Sequence, residues 1–154
     1  MKTMLFLVIA ALQLPVAALA ADTAAPVATV AAFHAALSRA DRTAVLALLA
    51  DDVLIFEEGG AELSRAEYAA HHLAADAVHA AATRQTVTRR IARAEGGTAW
   101  IATQGRTTGL HKGKPCDRLT VETMVLRNGA DGWRIQHIHW SSRAPAKARQ
   151  GRLP

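Results

Sequence analysis

Near the end of the chain, His137 and His139 flank an isoleucine within a stretch that alternates every second residue. On an extended strand that spacing puts both imidazoles on one face, with Cβ atoms about 7 Å apart. Two such rings can be ligands of a single metal ion. With Glu57, Glu122 or an upstream helical histidine such as His71 as third donor, the set would suit Zn or Cu. The same rings could instead be hydrogen-bonded interior or interface histidines. Further upstream, Tyr68, His72, Asp76 and His79 recur at helical spacing and form one stripe. His71 points about 100° away from His72, so the pair cannot face a common centre. A histidine beside a carboxylate is a workable general base near neutral pH, and a tyrosine is a donor to a developing oxyanion. Glu57 and Glu58 lie before Gly59-Gly60 and point to opposite faces if extended, so one of them can enter a cavity. Burial there would raise its pKa and make it a candidate acid or base. The candidate catalytic groups are therefore His72, Glu57 and Tyr68.

Aromatic residues make up only 5% of the chain, yet Trp100, Trp133 and Trp140 fall on neighbouring strands of the C-terminal half. A cavity lined by them and by Phe33 and Phe56 would take an apolar or planar molecule. Candidate ligand-binding residues are thus His137, His139, Glu122, Trp100 and Trp140. The metal-binding alternative uses His137, His139 and His71. No Gly-rich phosphate loop, Ser-His-Asp order, CxxC or nucleotide motif is present, which sets those classes aside.

The elements that must position these groups follow from periodicity. Apolar Val30, Phe33, Ala36 and Leu37 predict a first helix over 27–40, and Asp41 caps a second over 42–50. Residues 53–57 form a short β-rich run. Ser64 with Glu67 three positions on is a capping box that opens an alanine-rich third helix over 64–82. Beyond it the period becomes two, and 83–95, 98–108, 118–126 and 133–141 read as long strands joined by turns. The last two flank a Gly/Asn/Asp-rich stretch, 128–132, typical of a hairpin. Strict alternation places Trp133, Ile135, His137 and His139 on one face of the final strand, and Arg134, Gln136, Ile138 and Trp140 on the other. Three helices followed by a meander predict an α+β fold, with helices on one face of a curved, mostly antiparallel sheet.

Lys2, an apolar run from Met4 to Leu14 and Ala18-Leu19-Ala20 have the form of a secretory signal cleaved after Ala20. The domain plan is accordingly a signal at 1–20, a leader at 21–26, one domain at 27–142 and a basic, disordered tail at 143–154. The expected location is periplasmic or secreted, and the apolar run is short for a stable membrane span. The formal charge of +5 overstates the body of the protein. Lys2 leaves with the signal, and Arg143, Lys147, Arg149 and Arg152 sit in the tail, so the folded part is near neutral and no nucleic-acid partner is expected. The single cysteine, Cys116, excludes an internal disulfide.

The order of two helices, a short strand, a helix and a long-stranded meander resembles the NTF2-like or SnoaL-like cone, which includes ketosteroid isomerase. The segments Glu122-Thr123-Met124-Val125-Leu126, Asp131-Gly132-Trp133 and His137-Ile138-His139-Trp140-Ser141 resemble the last hairpin of its DUF4440 branch. That hairpin is shared with the association domain of calmodulin-dependent kinase II. The resemblance covers about residues 27–143. It implies a conical pocket between sheet and helices, and commonly a homodimer formed through the sheet. The isomerase pattern would require an aspartate base and a tyrosine–acid oxyanion pair, for which no local motif is found here. The pocket-side arginines of the kinase domain are replaced by Met124 and Trp140, so a carboxylate ligand held in that way is not implied. The expected function is a small-molecule-binding pocket with scope for acid/base chemistry of isomerase, hydrolase or dehydratase type, and no cofactor is expected. Its alternatives are a metal-binding protein using Zn or Cu and a non-catalytic dimeric assembly module.

Overall fold

In the computed structural model, which describes residues 16–146 and side chains from residue 23 onward, two helices lead into the sheet. These are α1 (Val16–Ser38) and α2 (Arg42–Ala47), followed by β1 (Leu49–Glu57) and β2 (Gly60–Glu62). Then come α3 (Arg65–Ala70), α4 (Leu73–Ala82), β3 (Thr83–Glu95), β4 (Thr98–His111), β5 (Lys114–Gly129) and β6 (Gly132–Arg143). The sheet order is β2-β1-β6-β5-β4-β3, antiparallel except where β1 runs beside β6. Helices α1 and α4 pack on one face, giving the expected α+β cone. Val30, Phe33 and Leu37 of α1 bury against Ile101, Met124, Leu126, Ile135 and Ile138 of the sheet, with Leu73 and Ala77 of α4 closing the core. Of the expected export signal, residues 1–15 lie outside the described residues, as do 147–154 of the tail.

Several boundaries differ from the sequence expectation. The first helix begins at Val16 and runs through 21–26 with Pro26 inside it. The second helix ends at Ala47, and the strand after it starts at Leu49, ahead of the expected residue 53. The third helix is two helices. Ser64 caps the first, accepting from Glu67 N–H at 3.1 Å, while the Glu67 carboxylate accepts from Leu63 N–H at 2.7 Å. The break falls at His71-His72, where both rings turn onto Glu62. The expected loop at 109–116 is strand almost throughout. A two-residue turn, Lys112-Gly113, closes the β4–β5 hairpin, with φ of 50° and 74°. Positive φ at both positions matches the right-handed twist of the strands, the geometry of a type I′ hairpin. Arg143, assigned to the tail, ends β6.

One irregularity decides which side chains meet. Along β5 and β6 the pairs run Met124↔Ile138 and Val125↔His137, then slip to Leu126↔Ile135. Gln136 is the extra residue, a β-bulge, and it reverses the phase of alternation along β6. Ile135 therefore joins Ile138 on the concave side instead of facing away from it, and both are fully buried. His137 and His139 remain on the convex side, with Leu54 and Phe56 of β1 as neighbours.

Candidate active site

The concave face of the sheet alternates strictly along β5: Leu126, Met124 and Glu122 are buried, and Thr120, Arg118 and Cys116 are half-buried. Met124 and Leu126 belong to the core floor, while the residues beyond them line an open cavity of about 1410 Å³ under α1 and α4. Three groups of titratable side chains face this space.

At its depth, Glu122 is 3% exposed. The Trp140 indole Nε1 donates to its Oε2 at 2.7 Å. His34 Nε2 lies 2.9 Å from the same oxygen as an ion-pair contact, off the line that a hydrogen bond needs. Burial alone would raise the pKa of Glu122. The contacts of His34 and Trp140, with the Arg90 guanidinium nearby, outweigh burial and hold the carboxyl below its usual range.

At the side wall, fully buried Tyr68 donates its hydroxyl to Asp76 Oδ2 at 2.9 Å. One helical turn after the chain break, α4 brings Asp76 back beneath α3, which is why a stripe laid down for one helix still converges on two. Burial pushes Asp76 up against the opposing pull of Tyr68, His72 and His79. Glu57, at the end of β1, is pushed up by burial and by the charges of Asp76 and Glu58. Burial and Asp76 push the Tyr68 phenol far above its usual range. His72 completes this wall: its Nδ1 makes a short contact with Glu62 Oε1, and His71 Nδ1 meets Glu62 Oε2 at 3.1 Å. Burial raises Glu62, but the hydrogen bonds from His72 and His71 prevail and hold it low. An ionised Glu62 can only accept, so His72 Nδ1 carries the proton of that contact and leaves Nε2 directed away from Glu62.

The third group lies at the end of α4, where His79 Nδ1 is 3.3 Å from His111 Nδ1. Burial and its neighbour His111 push His79 down.

Of the residues selected from sequence, His72, Glu57, Tyr68, Glu122 and Trp140 line one cavity. Tyr68 does so with its hydroxyl already hydrogen-bonded to Asp76. His137, His139 and Trp100 do not. The His137 ring donates from Nδ1 to the Leu54 carbonyl at 2.9 Å and packs edge-on against Phe56 on the convex face. His139 and Trp100, the latter 42% exposed, share that face. The bulge and the outward alternation of β4 put them there. His71 is turned to Glu62, so His137, His139 and His71 are not brought together. Among the described residues no three His, Cys, Asp or Glu side chains are grouped to hold a metal ion. Three cavity residues escaped the sequence reading. His34 borders the apolar stripe of α1, Glu62 occupies a strand too short to show a pattern, and His111 lies within the expected loop.

Residues 27–146 match the family model described as a SnoaL-like domain. Among solved structures, a candidate ketosteroid isomerase from Shewanella frigidimarina shares 36% identity, with a TM-score of 0.73 over 77% of this chain and 95% of that one. A candidate dehydratase of the NTF2-like family from Streptomyces avermitilis shares 22% identity, with a TM-score of 0.67 over 82% and 99%. A candidate calcium/calmodulin-dependent protein kinase II association domain from Xanthomonas campestris shares 21%, with a TM-score of 0.65 over 80% and 88%. No curated protein matches the sequence. No helix among the described residues is long and apolar enough to cross a membrane.

Proposed function

This chain belongs to the SnoaL-like domain family, and on that premise we propose that its cavity binds a small apolar or planar carbonyl compound and moves a proton on it. The observation behind this reading is the side wall, where Glu57, Asp76 and Tyr68 perturb one another across a cavity that His72 also lines. A general base works best with a pKa near the working pH, and burial moves Glu57 in that direction. Glu57 or His72 Nε2 takes the proton. The Tyr68–Asp76 pair supplies the facing donor: a protonated Asp76 frees Tyr68 to turn its hydroxyl towards a developing oxyanion. The candidate isomerase and dehydratase among the structural neighbours favour this chemistry over hydrolysis.

The test is proton exchange. Cyclic β,γ-unsaturated ketones incubated with the protein in D2O should isomerise and take up deuterium, read by absorbance and NMR. Glu57→Gln should slow this about 10²–10⁴-fold. Exchange no faster than in buffer across the series, or an undiminished Glu57→Gln, defeats the reading.

The same proposal includes export after cleavage behind Ala20 and a homodimer through the convex face. Leu54, Phe56, Trp100 and Val121 there are 39%, 40%, 42% and 49% exposed, an apolar concentration that a second sheet would cover.

A further inference from the structure

We infer that the cavity's ligand is an amphiphile with an anionic end, and that Arg84, Lys112 and Lys114 at the mouth receive that end. The inference rests on the cavity being a ligand site, and it adds the ligand's charge and orientation.

The argument begins with the polarity gradient along the concave face of β5. From the buried Met124 the face passes through Glu122 and Thr120 to Arg118 and then towards Lys114. At about 3.3 Å per residue, Lys114 lies roughly 26 Å along the strand from Glu122. The acids of the cavity, Glu57, Glu62 and Asp76, come from β1, β2 and α4. The cations come from the opposite quarter: Arg84 from the start of β3, and Lys112 and Lys114 from the β4–β5 turn. All three are exposed at the rim. Asp117, the acid on this length of β5, is clamped by Arg106 at 2.6 Å through both oxygens and offers the lysines little neutralisation. Arg118 is spent on Ser142, whose Oγ and carbonyl it holds at 3.0 and 3.2 Å.

The turn also fixes where these charges sit. Lys112 adopts φ of 50°, a backbone conformation that non-glycine residues seldom take. A Cβ on Gly109 would lie 2.5 Å from the Ala82 carbonyl, so hairpin and helix end meet backbone to backbone. The α4–β3 junction and the hairpin tip are thereby held together, and their cations converge on one side of the opening. His79 and His111 lie just inside. With His79 pushed down by burial and His111 against the pull of Asp76, the fixed cations Arg84, Lys112 and Lys114, which line the same cavity, supply the charge at neutral pH. A ligand with its apolar body over Trp140 and its anionic end among these cations satisfies both halves of the cavity.

The probes are a steroid carboxylate and a long-chain fatty acid, whose lengths with the reach of a lysine side chain approach the span from Glu122 to Lys114, each paired with its methyl ester and titrated into the full chain at low and high salt. Three exposed ion contacts together should favour acid over ester roughly three- to 140-fold at low salt. The preference should shrink at high salt as the Debye length shortens. It should vanish in the Arg84→Ala/Lys112→Ala/Lys114→Ala variant while ester binding stays unchanged. A fold check by circular dichroism separates lost charge from lost structure. Equal binding of acid and ester, or a preference that survives the triple substitution, overturns the inference and leaves the cavity reading standing. Failure of all four probes to bind overturns both.

Discussion

Replacing Glu122 by glutamine tests whether a charge is kept at the depth of the cavity. The substitution preserves shape and leaves an amide oxygen to accept from Trp140 Nε1, whose bond to the native carboxylate is 2.7 Å. What disappears is the charge. Hydrogen bonds to charged groups contribute about 1.5–3 kcal/mol and neutral ones about 0.5–1.5, so the change at Trp140 costs about 1 kcal/mol. Loss of the His34 contact, 2.9 Å away and largely shielded from water, brings the expected total to about 1–3 kcal/mol. For a domain of this size that lowers Tm by roughly 3–5 °C per kcal/mol. The pH dependence gives the sharper test. The folded pKa of Glu122 lies below its ordinary 4.5, so its contribution is complete above the unfolded value and is lost as pH falls through the folded one. Urea denaturation at pH 7, 5 and 3.5 should therefore show parent and variant well apart at the first two and drawing together at the third. A gap under about 0.5 kcal/mol at pH 7, or one of constant size down to pH 3.5, would refute the reasoning, because the charge would then do little for the fold or folding would leave the pKa of Glu122 where it was.

Three other perturbations address the remaining features. Gly109→Ala must place a methyl 2.5 Å from the Ala82 carbonyl at φ of 153°, and should cost about 1–3 kcal/mol or more in urea denaturation; an unchanged midpoint would show that the junction yields. His79 has its folded pKa below the ordinary 6.5, so the stability it contributes is present above that value and lost as pH falls through the folded one. Thermal unfolding between pH 7.5 and 5 should accordingly fall less steeply in His79→Gln than in the parent; parallel curves would count against the imidazole pair. Phe56→Lys puts a charge in the apolar convex face, where Phe56 is 40% exposed beside His137. Sedimentation should then show monomer where the parent shows dimer, and a monomeric parent would remove the convex face as an interface.

Legibility in the sequence followed the regularity of the backbone. The capping box at Ser64, the Gly96-Gly97 and Asn128–Gly132 turns and the alternation in 98–108 are local and periodic, and each corresponds to an element boundary or a buried face. The resemblance to the cone then supplied the pocket between sheet and helices, whereas the parallel pairing of β1 with β6 is encoded by no local pattern. Side chains placed by an unbroken period came out right: Ile138 and Trp140 share the concave face, and His137 and His139 the convex one. Residues downstream of an irregularity did not. Lys112-Gly113 lacks the Asn-Gly signature, so the residues between the strands expected at 98–108 and 118–126 read as a connection, which hides His111 and the pairing of Cys116 with Gly109.

Two such irregularities build the site. The break at His71-His72 costs a helix its continuity, and the compensating contacts are two imidazoles on one buried carboxylate, Glu62. Without the break His72 would continue along the helix axis, and Glu62 would stay buried without a donor, a cost of about 1–3 kcal/mol or more for a charged group. The bulge at Gln136 has its own tie, a hydrogen bond from Gln136 Nε2 to Asp52 Oδ1 at 3.0 Å, and the neighbouring strand β1 slips its register over the same length. Because β5 and β1 both adjust around one residue of β6, the phase change is shared across three strands. It puts Ile135 and Ile138 in the core, carries Trp140 over Glu122, and leaves His137 and His139 on the side where a second molecule would dock. A deletion of Gln136 would restore strict alternation and force a choice between burying Ile135 and burying Ile138. The burial of Ile135 beside Ile138, with the last two histidines turned out of the cavity, therefore depends on that one inserted residue.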